Sequence, residues 1–314
     1  MSENQQIIIQ TNNLTRKFGD TVAVDGLNLA VHRGEIFGLV GPDGAGKTTT
    51  IRLLVAIMDP TEGRATVAGF DTVRQAEEIK KRIGYMAQRF NLYGDLTVME
   101  NLNFFADVFE VRGEVRRERI ERLLHFARLT EFRHRRAAHL SGGMQKKLAL
   151  ACTLVHKPEI LLLDEPTTGV DPVSRREFWD ILTELHLEGV TLFLSTPYMD
   201  EAERCSRVAL MLQGKIIVCD VPAEIREMVA GELLELRPSD LRRAAQVVKG
   251  LEGVLEVQTY GDLLHLFVDS IALRQAELQA ALAAEQIDVA RLRQTRPRME
   301  EAFISLIRRR QEEK

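Results

Sequence analysis

A chain of 314 residues with 45% apolar side chains and few aromatics is globular, and it is long enough for one large domain plus a smaller one. Its formal charge of −4 excludes the broad basic footprint that duplex nucleic acid demands, so no nucleic-acid partner is expected. Cys152, Cys205 and Cys219 are scattered in apolar stretches, which argues for reduced core thiols and a cytoplasmic setting. Met1 to Gln6 lacks the pattern of a secretory signal, and no run reaches the roughly 18–20 apolar residues of a membrane helix. Any membrane role is therefore expected to come from another chain.

From Ile7 to about Asp220, short β-branched or apolar runs alternate with longer helical periods, the pattern of a sheet with crossover helices. Within it Ile36 to Val40 reads as a buried strand, followed by Gly41-Pro42-Asp43-Gly44-Ala45-Gly46-Lys47-Thr48 and a helix expected over Thr49 to Ile57. This is a phosphate-binding loop in its strand-to-helix context. Gly44 and Gly46 let the backbone around Gly41, Ala45 and Thr49 curl, so that successive N–H groups and the positive helix end face an anion. Lys47 is expected to reach the β- and γ-phosphates and Thr48 to ligate Mg2+. Asp43 suits such a loop only if its carboxylate points to solvent, because a carboxylate beside phosphates repels them.

Phe90 to Lys157 has no convincing strand, and Val98–Phe109, Val115–Ala127 and Gly142–Val155 read as helices, so a helical subdomain is expected over about residues 89–157. Leu140-Ser141-Gly142-Gly143-Met144-Gln145 opens the last of these, with Ser141 as N-cap and two glycines that allow close backbone approach. It looks like a second phosphate seat. One nucleotide has little use for two helix ends so far apart in sequence, but a symmetric pair of chains offers one seat from each partner.

These residues resemble the ATP-binding-cassette ATPases, whose signature LSGGQ the segment at Leu140 matches with Met144 in the last place. The resemblance covers Ile7 to about Asp220 and implies a P-loop NTPase fold of the α/β class with ATP and Mg2+ bound between two cassettes, as a homodimer or a heterodimer. It places Phe18 against adenine, Gln88 as the sensor of the γ-phosphate and Mg2+, and Asp171 in the loop that links the two sites. The strand Ile160 to Leu163 ends in Asp164-Glu165, which suits Mg2+ coordination by Asp164 and activation of water by Glu165. Glu165, Gln88 and Lys47 are thus the expected catalytic residues, and Thr48, Gln88 and Asp164 the expected metal ligands.

Within the family, the Gly143-Met144 signature, Tyr198-Met199-Asp200-Glu201-Ala202-Glu203 and Arg298-Met299-Glu300-Glu301-Ala302-Phe303 resemble the drug and polymer exporters, including the daunorubicin-resistance type. That branch implies an ATPase that drives a separate integral-membrane permease, contacted through residues 90–97, and sits peripherally on the inner face of the cell membrane. One departure matters. After the strand Thr191 to Ser195 the family usually carries a histidine that contacts the γ-phosphate, and here Pro197 offers neither a side-chain donor nor an N–H. The alternative is therefore an ATP-dependent conformational switch with little hydrolysis.

Beyond Pro222 the order strand (Glu232–Arg237), helix (Ser239–Lys249), hairpin (Val254–Tyr260, Leu263–Val268), helix (Ala272–Ala284), strand (Ile287–Arg293) is the ferredoxin-like α+β plan, closed by a helix over Met299–Arg310. The expected division is residues 1–222 for the nucleotide-binding domain and 223–314 for an accessory domain that regulates the dimer or holds it together.

Overall fold

A computed structural model describes residues 6–89 and 92–312, with side chains through residue 308. Residues 1–5 of the polar N-terminal stretch, and Phe90 and Asn91 of the segment expected to meet a permease, lie outside the described residues. The chain divides into two compact units, Met1–Val221 and Pro222–Lys314.

The first unit holds two sheets where the sequence suggested one. Strands β1 (Ile7–Phe18), β2 (Thr21–His32), β4 (Glu62–Val67) and β5 (Phe70–Asp71) form an antiparallel sheet in the order β2-β1-β4-β5; β3 (Ile36–Val40) belongs elsewhere. The difference is physical: β1 and β2 alternate buried and exposed residues, whereas β3 is buried throughout. With β3 run β6 (Ile83–Met86), β7 (Ile160–Asp164), β8 (Thr191–Thr196), β9 (Arg207–Leu212) and β10 (Lys215–Asp220), in the order β10-β9-β3-β8-β7-β6. All neighbours in this sheet pair in parallel except the edge strand β10. Ile9, Leu14 and Val24 from the first sheet share one core with Phe37, Leu39, Leu162 and Phe193 from the second, and Phe37 and Phe193 stack with ring centroids 5.4 Å apart.

Helix α1 (Lys47–Leu54) follows β3 and starts two residues before the expected Thr49, while α2 (Ala76–Lys80) precedes β6. The helical insert comprises α3 (Val98–Val108), α4 (Gly113–Phe126) and α5 (Gly142–Leu154). Thr97 and Glu100 close a reciprocal capping box at the start of α3. Buried Asn101 accepts from the Tyr93 N–H at 3.1 Å and donates to the Tyr93, Leu96 and Thr97 carbonyls, which pins residues 93–97 against α3. Helices α6 (Pro172–Leu187) and α7 (Met199–Ala202) complete the unit.

In the second unit α8 (Pro222–Glu227) leads into β11 (Glu232–Pro238), α9 (Leu241–Lys249), β12 (Val254–Tyr260), β13 (Leu263–Val268), α10 (Ile271–Ala284), β14 (Val289–Thr295) and α11 (Met299–Glu312). The antiparallel sheet β12-β13-β11-β14 has the ferredoxin-like order. Helix α9 begins at Leu241 rather than Ser239 because Asp240 is the cap, accepting from the Arg243 N–H at 3.0 Å. The last strand runs two residues later than the expected Ile287–Arg293. Leu234, Leu236, Leu264 and Leu266 pack with Ala244, Val248, Leu278 and Leu282 of α9 and α10.

Candidate active site

Four parallel strands, β3, β8, β7 and β6, present their C-terminal ends side by side, where crevices in open α/β sheets bind ligands. The loop after β3 curls through Gly44 (φ 77°) and Gly46 (φ 108°), conformations that only glycine adopts without strain. A Cβ on Gly46 would stand 2.3 Å from the Ala23 carbonyl oxygen, and one on Gly41 2.2 Å from that of Met211. The curl is therefore wedged between two backbones. Ala45 is buried, and Asp43 is exposed as the loop requires. No side chain among the described residues caps α1, so the first N–H groups around Lys47, Thr48 and Thr49 remain available to an anion.

Lys47 is 3% exposed, and its ammonium donates to the carbonyls of Gly41 (2.8 Å) and Pro42 (3.0 Å) while facing Glu165 Oε1 at 3.2 Å. Thr48 Oγ1 donates to Asp164 Oδ1 at 3.0 Å. Gln88, just after β6, donates through Nε2 to Glu165 Oε2 at 2.9 Å. Five of the expected site residues are thus brought together, Lys47, Gln88 and Glu165 in one bonded set and Thr48 with Asp164 in another, and Ser195 joins the two. Their chemistry fits a Mg2+-bound triphosphate: a buried ammonium, an uncapped helix start, a hydroxyl beside a carboxylate, and a second buried carboxylate facing the ammonium.

The two acids are not equivalent. Burial pushes the Asp164 carboxyl above its usual range, although hydroxyls of Ser195 and Thr48 donate to it; the neighbouring Glu165 adds to the rise. Glu165 has the left-handed φ of 46°, held by its N–H, which donates to the Ser195 hydroxyl at 3.0 Å and faces the Ser195 carbonyl at 3.2 Å. Such a backbone costs about 1–2 kcal/mol and turns the side chain toward Lys47.

Sequence reasoning missed Ser195. Its hydroxyl donates to Asp164 Oδ1 at 2.7 Å and accepts from the Glu165 N–H, so one side chain ties the Asp164 carboxylate to the Glu165 backbone. The parallel register of Asp164 opposite Ser195 places it there. Also missed is Glu201, which is 1% exposed, accepts from Thr167 and Thr196 hydroxyls at 2.5 and 2.6 Å, and pairs with Arg175 at 2.7 Å. Thr196 precedes Pro197, so this network fixes the turn where the family's histidine is absent. No residue type at Glu201 or Ser195 announces such a role; only their neighbours across the sheet do.

The remaining expected residues are placed by helix caps and packing of their own, and of them Gly142 lines one cavity with Gln88. Ser141 caps α5, accepting from the Met144 N–H at 3.3 Å, and the exposed Gly142 would carry a Cβ with nothing nearer than the Gly169 carbonyl at 4.0 Å. Gly143 packs on α6, where a Cβ would meet Ser174 at 2.4 Å. Asp171 caps α6, accepting from the N–H groups of Val173 and Ser174, and Ser174 holds its carboxyl below the usual range. Phe18 is 45% exposed at the β1–β2 turn, with the Arg16 guanidinium 4.7 Å from its ring centre.

Residues 24–168 match the family described as ABC transporter. The chain is 42% identical over 308 residues to the probable multidrug ABC transporter ATP-binding protein YbhF of Escherichia coli (strain K12), an alignment covering 96% of this chain and 52% of that protein. It thus spans about half the length of that relative. It is 34% identical over 303 residues to the daunorubicin resistance ATP-binding protein DrrA2 of Streptomyces coeruleorubidus, covering 95% of this chain and 94% of that one. The dimeric structure of a post-hydrolysis state of the ATP-binding cassette MJ0796, bound to ADP and Pi, superposes with a TM-score of 0.62 at 29% identity over 68% of this chain and 98% of that chain. On these matches and on the motifs they span, the chain belongs to the ATP-binding proteins of the ABC transporter family.

Proposed function

We propose that this chain is the ATP-binding and ATP-hydrolysing subunit of an exporter and drives a separate membrane permease by nucleotide-dependent closure of a cassette dimer. The observation that carries the reading is the single cluster of Lys47, Thr48, Gln88, Asp164 and Glu165 at the strand ends. In it Lys47 and the start of α1 bind the phosphates, Thr48 and Asp164 hold Mg2+, and Phe18 offers an open ring to the base. Bound Mg2+ supplies charge neutralisation on the phosphates. Glu165 orients and deprotonates the attacking water, and Gln88 keeps that carboxylate aimed.

Glu165 is held by Lys47 and Gln88. A triphosphate competes for Lys47, so the same event that fills the cradle releases the base. The open Gly142 end lies against Gly169 of the Asp171 loop, which suits a seat completed by a second chain, either a copy or a related cassette. The solved MJ0796 cassette with ADP and Pi is dimeric, which supports this arrangement.

No helix among the described residues is long and apolar enough to cross a membrane. An apolar groove of about 450 Å³, lined by Val55, Ile57, Tyr85, Phe105, Val108 and Phe109, suits a permease segment. Tyr93 touches Phe104, with ring centroids 4.6 Å apart, and Phe104 touches Phe105, so residues 92–97 continue this surface. The relatives' names, multidrug and daunorubicin resistance, support an export role. Phosphate release by wild type and Glu165→Gln tests the enzyme reading. Turnover in the wild type that the variant lacks is expected; equal inertness of the two selects the conformational switch that Pro197 suggests.

A further inference from the structure

Lys146 lies on α5, one turn beyond the exposed Gly142, and its ammonium donates across to the main-chain carbonyl of Gln88 at 3.0 Å. The adjacent Lys147 pairs with Glu177 at 2.8 Å, but Lys146 has no carboxylate within ion-pair distance among the described residues. A half-buried ammonium spent on one carbonyl is costly, and it stands beside a polar cavity of about 300 Å³ that also opens on Gln88, Thr168 and Gly169. From Lys146 the contacts run on without a gap. The Gln88 amide donates to Glu165 Oε2 at 2.9 Å, and Glu165 Oε1 faces Lys47 at 3.2 Å.

We propose that Lys146 is a positioning residue for hydrolysis, holding the Gln88 carbonyl so that the Gln88 amide stays aimed at Glu165. The residue acts through Gln88 and touches no nucleotide. Gly142 and Lys146 share one rigid helix and lie about 6 Å apart along its axis. A displacement of α5 of about 1 Å stretches the 3.0 Å bond out of hydrogen-bonding range. The state of the helix start is thereby reported to the base of the same chain. This inference rests on the reading of Glu165 as the base.

Lys146→Met is expected to lower kcat by about ten- to a hundredfold while the ATP dissociation constant stays within about twofold, and Lys146→Arg, which keeps a donor, retains most of the rate. Hydrogen–deuterium exchange of residues 86–89 in the nucleotide-free protein is expected to quicken in Lys146→Met and not in Lys146→Arg. Lys146→Leu provides a second variant without a donor should the methionine disturb packing. Wild-type kcat in both uncharged variants, or a loss of ATP affinity that matches the loss of rate, overturns the inference. Glu165→Gln in the same assay separates the two levels. If wild type does not exceed it, the reading of the site falls and this inference with it; if wild type exceeds it and both uncharged variants equal wild type, this inference alone falls.

Discussion

Replacing Asp164 with asparagine should make the nucleotide-free protein more stable and destroy its hydrolysis. Asp164 is 1% exposed and accepts from Ser195 and Thr48 through the same oxygen, Oδ1. An asparagine oxygen keeps both bonds, so the substitution removes only a buried charge that stands next to Glu165. Burial raises this carboxyl, so the folded state holds its proton more tightly than the unfolded chain, where the group titrates near pH 3.9. For a raised acid, wild-type stability is fully present below the unfolded value and is lost as pH climbs through the folded one. The advantage of Asp164→Asn is therefore absent below about pH 4, grows through the folded pKa and levels off above it. Relief of one such charge is worth about 1 kcal/mol, or roughly 2–4 °C for a cassette of this size. Thermal unfolding of the two proteins without nucleotide, across a pH series, reads the difference directly. With ATP and Mg2+ the order should reverse, because only wild type gains the metal's binding energy. A variant less stable than wild type at neutral pH, or a gap that does not change with pH, would refute the reasoning.

Pro197→His should raise kcat by about ten- to a hundredfold, since one aimed donor in an active site is worth a few kcal/mol; steady-state phosphate release checks it. Gly46→Ala drives a Cβ to 2.3 Å from the Ala23 carbonyl at a φ of 108°, and should abolish nucleotide binding by calorimetry while lowering the melting temperature. Gly143→Ala presses on Ser174 at the start of α6, and should leave ATP binding to one chain intact but weaken ATP-dependent dimerisation by about tenfold in sedimentation. Leu92→Glu with Tyr93→Glu should abolish transport by the assembled complex and leave nucleotide affinity unchanged.

Local signals carried much of this. The glycine loop before Lys47 and the apolar run into Asp164-Glu165 are contiguous, so strand, turn and chemistry can be read together from adjacent residues. The elements of the second unit were also legible, because the chain breaks after Pro238 and turns at Gly261 where the strand pattern stops. What stayed hidden is what strand order decides. Ser195 meets Asp164 only because β8 lies beside β7, and Lys146 meets Gln88 only because the helical insert folds back on the loop after β6. The split of the first unit into two sheets was missed for the same reason: alternation marks a half-buried strand but does not name its neighbour. The start of α9 at Leu241 in place of the expected Ser239 is a smaller case, settled by the Asp240 side chain reaching the Arg243 N–H.

The most direct test is a structure of Glu165→Gln trapped with ATP and Mg2+. Two chains are expected, each triphosphate held by Lys47 and Thr48 of one subunit and covered by Ser141, Gly142 and Gly143 of the second. A monomer that binds ATP at Lys47 with Gly142 open to solvent would contradict the account.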